Sequence, residues 1–72
     1  MEKRTKITIS TEYITLGQFL KYAGIIDLGS EAKFFLQENV VIVDGEEESR
    51  RGRKLRGGEK VEVLGQVYEV VR

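Results

Sequence analysis

The chain has 72 residues, with twelve acidic and twelve basic side chains and a formal net charge of zero. That length allows one small core, and a composition of 40% hydrophobic and 33% charged residues excludes an intrinsically disordered chain. Cysteine and histidine are absent, which excludes disulfides and thiolate metal sites and removes the commonest general base and metal ligand. No stretch approaches the roughly 20 apolar residues of a membrane span, and the opening MEKRTKITIS has no signal-peptide core. The expectation is therefore a single domain, residues 1–72, that is cytoplasmic and has no membrane partner.

In chain order, KITIS alternates, with Ile7 and Ile9 on one face, and reads as a short strand at a sheet edge. In TLGQFLKYAG, Thr15 and Gln18 have capping-box spacing. Leu16, Phe19, Leu20 and Ala23 fall at helical intervals and Gly24 stands where a helix stops, so the first helix is placed at 15–23. Gly17 in its first turn costs about 1 kcal/mol relative to alanine. DLGS is turn chemistry, and Ser30 is read as the N-cap of a second helix, EAKFFLQEN, that buries Ala32, Phe35 and Leu36 and ends near Asn39. Lys33 and Gln37 share a face away from that apolar stripe.

From VVIVDGEEE the period changes to a β-branched run followed by Asp-Gly, a strong hairpin signal. Gly57-Gly58 is read as a turn, KVEVL as a strand alternating Val61 and Val63 with Lys60 and Glu62, Gly65-Gln66 as a further turn, and VYEVV as the last strand. The fold class is α+β: two helices packed on a small, mainly antiparallel β-sheet.

One segment conflicts with the neutral total. RRGRKLRGG carries five positive side chains between Arg50 and Arg56, directly after Glu46, Glu47 and Glu48. Such a run is either a solvated loop balanced by those acids or a surface kept for an anionic partner. Both ends are tied to strands, so a free tail is disfavoured. Arginine outnumbers lysine four to one in the run, which suits bidentate phosphate contact and stacking. Gly52 is read as permitting close approach to a backbone, and Leu55 as an anchor in the core. Consecutive residues on a strand point to opposite faces, so the three glutamates are not expected to share a cation.

The helix LGQFLKYAGI, the turn DLGS, the helix EAKFFLQENV, the strand VIVDGE and the later GGEKVEV together resemble the RNA-binding domain named after ribosomal protein S4, also called the alpha-L motif. The resemblance spans about Ile14 to Val63. The family's pattern of Ser, small Ala, basic residue, Gly and Val-x-Val-Asn-Gly is met here by Ser30, Ala32, Lys33, Asn39, Val41, Val43, Asp44 and Gly45. Asn39 stands for the Gly and Asp44 for the Asn, and both residue types tolerate left-handed backbone. The sequence also resembles small stand-alone bacterial proteins made of this domain alone.

The resemblance implies an alpha-L fold and binding to structured RNA, ribosomal or transfer RNA, with the ribosome or its assembly intermediates as partners. Arg50, Arg51, Arg53, Lys54 and Arg56 are the expected phosphate contacts, with Lys21, Ser30 and Lys33 extending the patch from the helices. No catalytic residue, cofactor or metal is expected, and the chain is expected to be a monomer. Tyr13, Tyr22 and Tyr68 are candidates for base stacking or for core and rim packing. The rival class is a protein-interaction adaptor with a bipolar acidic and basic surface. A ubiquitin-like carrier is disfavoured because Gly57-Gly58 is internal, and an enzyme because no paired catalytic motif is present.

Overall fold

The computed structural model describes residues 4–72. Strand β1 (Arg4–Thr8) leads to a two-residue strand β2 (Ile14–Thr15) and helix α1 (Leu16–Tyr22). A 3₁₀ turn (Gly29–Glu31) runs directly into helix α2 (Ala32–Glu38). The remaining strands are β3 (Val41–Val43), β4 (Glu46–Glu47), β5 (Lys54–Leu55), β6 (Lys60–Val63) and β7 (Gln66–Val71).

Five strands form one sheet in the order β1-β7-β6-β3-β4, with β1 at its edge, while β2 and β5 pair antiparallel as a separate ribbon. The sheet is mixed, because β1 joins β7 in parallel, Arg4 opposite Val67 through Thr8 opposite Val71; the other pairs are antiparallel. The alternation in β6 buries Val61 and Val63 and exposes Lys60 and Glu62. Val41, Val43, Val61, Val63 and Val70 meet Leu16, Phe19, Leu20, Ile26, Ala32, Leu36 and Leu55 in one core. Phe19 is fully buried and its ring meets Tyr68 edge-on at 5.5 Å, so Tyr68 belongs to the core rim.

Helix α1 begins as its sequence dictates. The Thr15 hydroxyl accepts from the Gln18 amide at 3.2 Å and the Gln18 side-chain oxygen accepts from the Thr15 amide at 2.9 Å. The start of α2 differs from the sequence reading. Ser30 is not its N-cap but lies inside the 3₁₀ turn, whose amide at Leu28 donates to the Glu31 carboxylate at 2.8 Å. Glu31 closes the entrance of the 3₁₀ turn, and α2 continues from that turn with no side-chain cap of its own. At the other end Asn39 is extended (φ −130°, ψ 142°), not left-handed, and its side-chain amide donates to the Phe35 carbonyl at 3.1 Å.

The Asp-Gly hairpin forms as read. Asp44 (φ 51°) and Gly45 (φ 86°) are both left-handed, as a two-residue turn between β3 and β4 requires. Asp44 also accepts from the Lys60 amide at 3.0 Å, binding the hairpin to β6. The last turn is one residue earlier than its sequence reading: Leu64 (φ 51°) and Gly65 (φ 74°) turn, and Gln66 already pairs with Val63. Among the described residues no helix is long and apolar enough to cross a membrane.

Candidate nucleic-acid interface

The basic run is not one loop. Lys54 and Leu55 form β5, with Lys54 opposite Thr15 and Leu55 opposite Ile14, and the fully buried Leu55 side chain anchors the segment as expected. The main chain is tied to α1 at two further points: the Leu16 amide donates to the Arg53 carbonyl at 2.8 Å and the Gly17 amide to the Arg51 carbonyl at 2.9 Å. Gly17 faces the crevice between loop and second helix, where an added Cβ would lie 3.3 Å from the Ala32 Cβ and 3.5 Å from the Arg51 oxygen. The missing Cβ that weakens the helix locally is what lets the arginine loop lie against it. Gly52 has no such role, since a Cβ there would meet nothing within 4 Å.

Within the loop the organising group is Glu48, 8% exposed at the end of the acidic triplet. Its carboxylate accepts from the Ser49 and Arg50 amides at 3.1 Å each, from Arg50 Nε at 3.0 Å and Nη2 at 3.1 Å, and from Arg53 Nη1 at 3.0 Å. The hydrogen bonds from Arg50 hold its carboxyl down at about 2, with Arg53 assisting and burial opposing them. The three glutamates therefore act separately: Glu46 and Glu47 are exposed on β4, and Glu48 turns inward to pin the arginines.

The cations fall into three sets. Arg50 and Arg53 are paired with Glu48, Arg50 keeping 76% of its side chain exposed and Arg53 31%. Arg51 lines two concavities, one with Lys21, Gln18 and Gly29, the other with Lys33, Gln37 and Ser49. One loop arginine thus joins the lysine of α1 to the lysine of α2. Lys54 and Arg56 approach the Tyr13 ring, at 4.9 and 5.6 Å from its centre. Ser30 is exposed and lines neither of the Arg51 concavities.

Comparison with known proteins bears on what this arrangement belongs to. The sequence profile described as the S4 domain matches residues 7–71, nearly the whole chain. The chain belongs to the S4 domain family. It is also similar to a "Probable ribosome maturation protein RlbA" of Bacillus subtilis (strain 168), 56% identical over 59 residues that cover 82% of this chain and 83% of that one. In this S4 domain the two helices, the loop after β4 and the ribbon β2–β5 bring Lys21, Lys33 and Arg51 to one side of the molecule.

Sequence reading of this S4 domain missed Glu48, which it grouped with two exposed neighbours. A signal was present: a carboxylate two residues before one arginine and five before another can bridge both once the chain turns between them.

Proposed function

We propose that this S4 domain is a non-catalytic, monomeric module that binds structured ribosomal RNA during ribosome maturation. The observation that carries the reading is Arg51, fixed by its carbonyl to Gly17 and lining one continuous surface with Lys21 and Lys33. A net charge of zero is no obstacle, because attraction depends on the local field. The ribosome-maturation name of the relative supports ribosomal over transfer RNA. Arg51, Lys21 and Lys33 are the central phosphate contacts. Arg50 contributes its exposed edge, Lys54 and Arg56 extend the strip past Tyr13, and Arg53 shapes the loop through Glu48. The deep, narrow major groove of A-form RNA blocks side-chain readout, so recognition is of backbone shape.

Titration of structured ribosomal RNA fragments at several salt concentrations tests this. With about four phosphates neutralised, log K falls against log salt with a slope of about −3. A flat salt response, or no binding at low salt, contradicts the reading.

A further inference from the structure

The concavity next to the Lys21–Arg51 crevice has a different chemistry. It is an open hollow of about 420 Å³ lined by Thr11, Glu12, Tyr13, Ile14, Gln18 and Tyr22. That is within the roughly 300–1,000 Å³ of small-ligand sites. Thr15 and Gln18 line both hollows, so the two are continuous. No cation lines this one, and Glu12 in its lining repels phosphate. What it offers is aromatic surface with an amide and a carboxylate beside it.

Its parts are held in place. Thr11 Oγ1 donates to the Tyr13 carbonyl at 2.8 Å, fixing the turn that presents Tyr13, and the capping box fixes Gln18. Tyr22 lies one helical turn beyond Gln18 on the same side of α1 and is 57% exposed, while Tyr13 is 37% exposed. Burial does not explain a tyrosine left this open. Lys54 and Arg56, drawn to the Tyr13 ring, set two positive charges beside the hollow.

We infer that the Tyr13–Tyr22 hollow is a site for one unpaired nucleobase at the end of the phosphate-binding strip. The base stacks on Tyr22, Gln18 and Glu12 meet its polar edge, and the phosphate of the same nucleotide reaches Lys54 and Arg56. Glu12 as an acceptor selects bases that present an amino group there. The inference rests on the RNA-binding reading above, and adds to it a contact that depends on bases and not on charge.

The test uses the full chain and two RNA hairpins, one with a three-nucleotide unpaired adenosine tail and one with an abasic tail of the same length. Both carry the same phosphates. The adenosine tail is expected to bind about tenfold more tightly, a fold-change typical of one stacked base. Tyr22→Ala removes that advantage, Tyr22→Phe keeps it, and neither changes the salt slope. The chain has three tyrosines and no tryptophan, so tyrosine emission reports stacking directly and is quenched by the adenosine tail alone. Equal binding of both tails without differential quenching overturns the base site and leaves the RNA-binding reading standing. Failure of both hairpins to bind at low salt overturns both.

Discussion

Arg51→Glu is expected to lower affinity for structured RNA about a hundredfold at low salt, with thermal unfolding unchanged. Its fold contribution is made by the main chain, through the carbonyl that accepts from Gly17, so reversing the exposed side chain leaves that bond in place. What changes is the charge between Lys21 and Lys33. A carboxylate there repels the phosphate that the guanidinium attracted and attracts both lysines away from the RNA. Arg51→Ala, which only removes the contact, is expected to cost about tenfold and to flatten the salt slope by about one. Fluorescence anisotropy at three or more salt concentrations separates the two effects. An Arg51→Ala protein with wild-type affinity and slope would show that phosphates do not reach this crevice.

Glu48→Ala is expected to produce the largest stability loss among polar substitutions in the loop, about 2 kcal/mol. At this chain length that corresponds to a melting temperature lower by roughly 10 °C. The substitution leaves two loop amides and three guanidinium N–H groups without their acceptor. Water satisfies most of Arg50, which limits the cost; it cannot replace the closure of the loop on itself. Binding to RNA also weakens, although a negative charge has been removed, because Arg51 is then presented by a mobile segment whose ordering opposes binding.

The same carboxylate sets an acid limit. Its ordinary value of 4.5 falls to about 2 in the folded chain, so its contribution to stability is complete above about pH 4.5 and is lost as the pH falls toward 2. Urea unfolding at pH 7, 4 and 3 is expected to show wild type approaching Glu48→Gln as the medium is acidified. Parallel curves for the two proteins would mean that Glu48 is not ion-paired in solution.

The parts of this fold that were legible in the sequence are those in which neighbouring residues determine one another. Thr15 and Gln18 cap α1 between themselves, Asp44-Gly45 needs only its own dihedrals to reverse the chain, and the alternation in β6 reports a sheet with one buried face. Local preference was misleading at the two ends of α2. A 3₁₀ turn closed by Glu31 on the Leu28 amide takes Ser30 into its middle, so the helix starts without a serine cap, and Asn39 satisfies the end of α2 with its side chain instead of a left-handed backbone. Leu64, against its own preference, turned one residue before the expected position because the register of β6 with β7 requires it.

Non-local pairing left almost no local trace. The parallel match of residues 4–8 with 67–71, and the ribbon that draws Lys54 and Leu55 to Ile14 and Thr15, join segments far apart in the chain. The second of these decides the candidate site. It divides a continuous basic run into a pinned pair on Glu48, an arginine in the helix crevice and two cations at Tyr13. Composition indicated that charge was concentrated here, and the ribbon determines which charges face the helices.

The proposed path of RNA across the crevice joining α1, α2 and the loop after β4 can be mapped by amide chemical shifts of the labelled protein with a structured ribosomal RNA fragment at low salt. The largest shifts are expected on Gly17, Lys21, Lys33 and Arg50 to Gly52, with β6 and β7 little changed. Shifts concentrated on the exposed residues of β6 and β7, with the crevice unaffected, would contradict it.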